Sequence, residues 1–131
     1  MTRGLLDTSV FIARESGRPV DHAKLPDEAF VSVVTLAELQ AGVLAAQGTD
    51  VRARRLRTLE ALAAYDPLVV GPAAAAEWAR MRVLLAGSRR KVNVNDLWIA
   101  AVAAANGLPV VTQDDDFDVI EDVGGPAVVK I

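Results

Sequence analysis

The chain contains no cysteine and only one histidine, His22. Without cysteine there is no disulfide framework and no thiolate metal site. A single imidazole excludes a zinc centre built from several histidines. No apolar run approaches the roughly 20 residues of a membrane-spanning helix. The opening Met-Thr-Arg-Gly-Leu-Leu-Asp has neither the apolar stretch nor the small-residue cleavage site of a secretion signal. The expected compartment is therefore the cytoplasm, with no membrane partner.

At 131 residues, the chain has the length of one domain, and residues 1–131 are expected to form it. A chain of this size buries roughly two-thirds of its unfolded surface. Hydrophobic residues make up 52%, much of it alanine, which suits packed helices better than a β-sandwich. The net charge of −3 looks wrong for a nucleic-acid binder. Setting aside the four acids discussed below, however, leaves the remainder close to neutral. The basic residues also cluster, at Arg52, Arg54, Arg55 and Arg57, and again at Arg80, Arg82, Arg89, Arg90 and Lys91. Local patches matter more than net charge for phosphate contact, although single arginines of this kind commonly form the solvated face of a helix.

Short apolar runs alternate with helical patterns. Strands are expected at 4–7, 29–34, 67–70, 110–112 and 127–131, the second rich in β-branched residues. Helices are expected at 8–13, from Thr35 to a stop at Gly48, at 49–65, from Pro72 to a basic loop at 87–91, and from Asn93 or Asn95 to Asn106. Residues 15–28 read as a loop with room for one helical turn, and 114–120 as an acidic turn or short helix. Gly42 inside a helix costs stability relative to alanine and suggests a close packing contact. Trp78 and Trp98 are expected in the core. Alternation of this kind implies an α/β fold with a parallel sheet covered on both faces.

Four acidic residues, Asp7, Glu38, Asp96 and Asp114, each fall just after a strand or at the start of a helix. Each has a local explanation. Asp7 can cap a helix, Glu38 stands three residues after Thr35 as in a capping box, Asp96 suits a helix dipole, and Asp114 can form an Asx-turn. Jointly they point elsewhere. An open α/β sheet gathers such positions into one crevice at the carboxyl ends of its strands. Crowded carboxylates cannot all stay ionised without compensation. A hard divalent cation compensates them, and Mg²⁺ held by carboxylates and water suits phosphate chemistry. Thr8, Ser9 and Thr112 flank the acids and can orient a carboxylate or hold a water. Hydrolysis of a phosphodiester by two cations roughly 3.5–4 Å apart requires no catalytic histidine or lysine, and His22 is expected at the surface.

Four segments carry a family resemblance. Leu-Leu-Asp-Thr-Ser-Val-Phe-Ile at 5–12, Thr-Leu-Ala-Glu-Leu-Gln-Ala-Gly at 35–42, Asn-Asp-Leu-Trp-Ile-Ala-Ala at 95–101 and Val-Val-Thr-Gln-Asp-Asp-Asp-Phe at 110–117 resemble, in order and spacing, the acidic motifs of PIN-domain ribonucleases. Length and the Glu-Leu-x-Ala-Gly form resemble the VapC-type toxins of bacterial toxin–antitoxin pairs. The resemblance implies a three-layer α/β/α sandwich with a central parallel sheet of four to five strands. It implies an endoribonuclease that uses Mg²⁺, with Mn²⁺ possible, and leaves a 5′-phosphate and a 3′-hydroxyl. Asp7 and Asp96 would be the primary metal ligands, with Glu38 and Asp114 completing the set. Asp114, two residues after Thr112, is favoured as the fourth acid, with Asp116 beside Phe117 as the alternative. The implied partners are RNA, a small VapB-type antitoxin and a second copy of the chain. Arg89, Arg90 and Lys91, just before the third motif, are the candidate RNA contacts.

Two other classes compete. A phosphoryl-transfer domain of the haloacid-dehalogenase kind needs a second aspartate two residues after the first, where this chain has Ser9. A response-regulator receiver needs an early acid pair that is missing here, although Lys130 is available. A module that keeps the fold and binds RNA or protein with little or no catalysis is the alternative.

Overall fold

The computed structural model describes all 131 residues. In chain order the elements are β1 (Arg3–Leu6), α1 (Thr8–Ser16), a 3₁₀ turn (His22–Lys24), β2 (Glu28–Phe30), α2 (Val33–Ala45), α3 (Thr49–Glu60), a second 3₁₀ turn (Ala61–Ala64), α4 (Pro72–Ser88), α5 (Val94–Ala105), β3 (Val110–Thr112), α6 (Asp118–Asp122) and β4 (Val128–Lys130). The four strands form one parallel sheet in the order β2-β1-β3-β4.

Strand periodicity explains the two helical layers. Leu5 and Val110 are paired across β1 and β3, and so are Leu6 and Val111. Because successive side chains point to opposite faces, Leu5 and Val110 join a core with Met81, Leu85, Leu97 and Ile99 of α4 and α5. Leu6 and Val111 face the other way, into a core with Phe11, Leu39 and Leu62 from the α1–α3 side. The outcome is the expected three-layer α/β/α sandwich. Gly4 allows β1 to lie close to its neighbour, because a Cβ there would stand 2.7 Å from Val111 Cγ2. The outer edge of β4 is blunted, since Val128 N–H donates to Glu121 at 2.7 Å.

Several expected boundaries move. The strand expected at 29–34 stops at Phe30, and α2 begins at Val33 rather than Thr35. Ser32 is its cap, accepting the Thr35 N–H at 3.3 Å. Residues 67–70 make a single bridge, Leu68 to Ser32, instead of a fifth strand. Pro67 supplies no N–H for a longer ladder. The helix expected at 49–65 ends at Glu60 and tightens into its 3₁₀ turn. Gly87 and Ser88 belong to α4, which closes at Arg89 in a left-handed conformation with φ 58°. Asn93, not Asn95, caps α5. At Gly42 an added Cβ would meet only Arg55 Cδ at 3.9 Å, an ordinary contact, so packing does not demand glycine there.

Candidate active site

The chain leaves β1 toward β2 on one side and reaches β3 on the other, so the order of strands switches between β1 and β3. Ligand crevices of open α/β sheets form at such a switch, beyond the carboxyl ends of the strands. Asp7 and Asp114 follow β1 and β3 at that end. Glu38 arrives on α2, and Asp96 on the first turn of α5.

Asp7 is 3% exposed. Its N–H continues the β1–β3 ladder by donating to Val111 O at 2.9 Å. Its carboxylate caps α1, accepting from Ser9 N–H at 3.4 Å and from the Thr112 hydroxyl at 2.9 Å. Burial pushes this carboxyl above the usual carboxylate range, against the opposing pull of the Ser9 and Thr112 hydrogen bonds.

Asp96 is the third residue of α5, and its N–H donates to the capping Asn93 side chain at 3.3 Å. Its carboxyl is pushed up to about 7, first by burial and then by the charges of Asp7, Asp116, Glu38 and Asp114. Asp114 is raised by burial, Asp7 and Asp116, while the Arg18 guanidinium pulls it down. The four expected acids thus share one electrostatic neighbourhood, and Asp116 belongs to it. Asp116 weighs on Asp96 more than Asp114 does. Asp115 between them is paired with Lys130 Nζ at 2.5 Å.

Glu38 is in the second turn of α2, because the helix starts at Val33. The capping-box explanation for it therefore fails, and its carboxylate is free to face the other acids. It accepts from the Thr8 hydroxyl at 2.7 Å and from Asn95 Nδ2 at 3.5 Å.

The flanking hydroxyls form two directed chains. An ionised carboxylate only accepts, so Thr112 spends its one proton on Asp7, and the 3.1 Å bond between Ser9 Oγ and Thr112 Oγ1 must run from Ser9. Backbone N–H groups of Gln113 and Asp114 supply Ser9 and Thr112 at 3.0 Å each. The second chain ends at Glu38 through Thr8.

Two clefts open beside the acids. One of about 480 Å³ is lined by Arg90, Lys91, Asn93, Asp96, Asp115 and Asp116. The other, about 300 Å³, is lined by Thr8, Ile12, Glu15, Glu38 and Arg55 among others. Arg90 and Lys91 thus reach the acid rim, although Arg90 also pairs with Asp122 at 3.1 Å. Arg89 caps α4 instead and does not line that cleft. His22 is exposed, as expected. Trp78 and Trp98 stack at 5.0 Å and pack against the larger core.

The donor set is all oxygen, which suits a hard cation and not zinc or copper. No three acids stand close enough to one point to cage an ion by themselves. The neighbouring acids that raise Asp96, and Asp7 and Asp116 that raise Asp114, are the repulsion a bound cation would relieve.

Four contributors stand outside the residues that the sequence pattern marks. Thr35 and Asn95 reach the Glu38 network, Arg18 opposes Asp114, and Lys130 holds Asp115 and Asp118 at 2.5 and 2.7 Å. Thr35 had a signal, since residues three apart share a helix face. Lys130 had none, being brought there by β4.

Residues 4–123 match the PIN domain. The chain is 56% identical over 128 residues to ribonuclease VapC5 of Mycobacterium tuberculosis, covering 98% of this chain and 95% of that one. It is 42% identical over 121 residues to ribonuclease VapC4 of the same organism, covering 92% and 93%. The fold superposes with a TM-score of 0.92 and 51% identity, over 100% of both chains, on the crystal structure of VapBC-5 from Mycobacterium tuberculosis, a member of the VapBC family of toxin–antitoxin systems. The chain belongs to the PIN-domain family and, within it, to the VapC ribonucleases.

Proposed function

We propose that this chain is a divalent-metal-dependent endoribonuclease acting as the toxin of a toxin–antitoxin pair, with Asp7, Glu38, Asp96 and Asp114 as its catalytic centre. The observation that carries the reading is the gathering of Asp7, Glu38, Asp96 and Asp114 from the ends of β1 and β3 and from α2 and α5 at the carboxyl end of the sheet, where burial and the other acids together push the Asp96 carboxyl up to about 7. Isolated helix caps would not converge in this way.

Asp7 and Asp96 would be the primary ligands for Mg²⁺ or Mn²⁺, with Glu38 and Asp114 completing the set directly or through water. Asp116, exposed at the rim beside Asp96, is the alternative fourth acid. When bound between these acids, the cation would supply charge neutralisation at the phosphoryl group and a more acidic water. The chain's own residues orient the parts. Thr112 and Ser9 hold Asp7, Thr8 holds Glu38, and Asn93 fixes the first turn that carries Asp96. Arg90 and Lys91 supply positive charge at the cleft where an RNA backbone would enter, and Arg89, capping α4 next to them, would meet that backbone outside the cleft.

The names of the relatives support RNA as substrate, and the VapBC-5 assembly supports a VapB-type antitoxin as partner. An arginine from such a partner would pair bidentately with this carboxylate cluster. A homodimer would cover exposed apolar residues such as Val83 and Leu84 on α4 and Val94 at the start of α5. No helix is long and apolar enough to cross a membrane, and the cytoplasm is the compartment proposed.

The test is cleavage of total cellular RNA by purified, antitoxin-free protein with Mg²⁺, with Mn²⁺ and with EDTA. Discrete fragments that require metal and vanish in Asp7→Asn establish the nuclease. Metal binding and RNA binding without cleavage would replace it with a binding module.

A further inference from the structure

We propose that Thr35 is a positioning residue for the Glu38 carboxylate, acting through the hydroxyl of Thr8. The proposal rests on the reading of the acids as a cation-binding nuclease centre.

Thr35 is the third residue of α2 and is fully buried. A threonine inside a helix ordinarily bonds its hydroxyl to the carbonyl one turn back. The Thr35 hydroxyl instead meets Thr8 Oγ1 of α1, at 2.9 Å and 27 residues away in sequence. Valine would fill the same space in this apolar layer without burying an oxygen. A fully buried hydroxyl retained there requires a partner that uses it.

Proton counting fixes the direction of that bond. Thr8 has one hydroxyl proton, and its oxygen lies 2.7 Å from Glu38 Oε1. An ionised carboxylate only accepts, so the Thr8 proton belongs to Glu38. The Thr8–Thr35 bond therefore runs from Thr35 to Thr8. Thr35 occupies the acceptor side of Thr8 and leaves its proton one direction to point. Donation into Thr8 also polarises the bond that Thr8 makes to Glu38.

Glu38 depends on this chain of bonds. It is one helical turn beyond Thr35, on the same face of α2. Its other oxygen has only the 3.5 Å approach of Asn95 Nδ2. Glu38 lines the cleft of about 300 Å³ together with Thr8. Partners that orient metal ligands in this manner are worth about 10- to 100-fold in metal affinity.

The test compares the parent with Thr35→Val, Thr35→Ser, Thr8→Val and the Thr8→Val/Thr35→Val double variant, all as full chains. The first readout is Mn²⁺ affinity by calorimetry on EDTA-stripped protein. The second is the order of the Glu38 side chain by NMR relaxation without metal. Thr35→Val is expected to weaken Mn²⁺ binding by about tenfold and to loosen Glu38, and Thr35→Ser to restore both. The double variant is expected to bind no worse than Thr8→Val, because the two hydroxyls act in series. Parent-like affinity in Thr35→Val, equal loss in Thr35→Val and Thr35→Ser, or additive losses in the double variant would each overturn the proposal. If the parent neither binds Mn²⁺ nor cleaves RNA, the nuclease reading falls. The order of Glu38 across the same proteins then still decides whether Thr35 positions it.

Discussion

Thr112 donates its hydroxyl proton to Asp7 at 2.9 Å, joining residues 105 apart in sequence at the boundary of β1 and β3. The same oxygen accepts the Asp114 N–H at 3.0 Å and the Ser9 hydroxyl at 3.1 Å. One buried side chain thus ties together the first acid, the turn carrying the fourth, and the start of α1. Removing it as Thr112→Val leaves three polar groups short of a partner. Each such group costs about 1–3 kcal/mol when buried, so unfolding free energy should fall by about that amount or more. Urea titration of Thr112→Val against Thr112→Ser checks this, and equal midpoints would show that the hydroxyl is idle.

Asp7→Asn should have opposite effects on activity and on metal-free stability. The amide keeps an acceptor for Thr112 but cannot carry the buried charge. Cleavage should drop by at least about 100-fold, since even indirect partners of metal ligands are worth about 10- to 100-fold. The EDTA-treated variant should melt at or above the parent temperature, because burial raises the Asp7 carboxyl and so opposes its ionisation. Fluorescence melts beside RNA cleavage assays decide the point. A variant that is both inactive and strongly destabilised would mark Asp7 as structural.

The acid cluster also predicts how stability changes with pH. The Asp96 carboxyl lies at about 7 in the fold against 3.8 in its absence, and Asp7 and Asp114 are also raised. Between those values the folded chain binds more protons than the unfolded chain, so stability falls as pH rises. In EDTA, the melting temperature contributed by this centre should therefore decline from about pH 4 to about pH 7. Asp96→Asn should flatten the decline, and saturating Mg²⁺ should reverse it by favouring the ionised acids. A metal-free profile that rises through that range and is unchanged in Asp96→Asn would contradict the crowding of charge.

Arg90 and Lys91 should carry RNA affinity without carrying chemistry. Each phosphate contact on a single strand contributes about −0.7 to the slope of log affinity against log salt. Filter binding in EDTA should give a shallower slope for Arg90→Gln/Lys91→Gln, with weaker binding at every sequence tried. An unchanged slope would remove the cleft beside Asp96 from the RNA path.

Part of the site could be read along the chain. Asp7 and Asp114 could be placed at strand ends because the apolar runs that precede them are short and bounded. Asp96 was marked by its position at a helix start. Boundaries were harder. The apolar face of Leu36, Leu39 and Val43 places a helix start at Thr35, yet Ser32 is the cap. That single displacement turns Thr35 from a cap into a buried link to Thr8. Residues 67–70 have strand composition, but only Leu68 finds a partner.

Local pattern determined the alternation of strands and helices, the parallel sheet and the placing of the acids at strand ends and helix starts, because periodicity and punctuation act over a few residues. Tertiary structure decided what those acids do to one another. The β2-β1-β3-β4 order brings Asp7 beside Thr112 and sets Asp96 among four carboxylates. It turns Asp115 onto Lys130 and leaves Asp114 and Asp116 to the centre. Charge repulsion, burial and hydroxyl direction depend on distances through space, and only the assembled sheet with its two helical layers sets those distances.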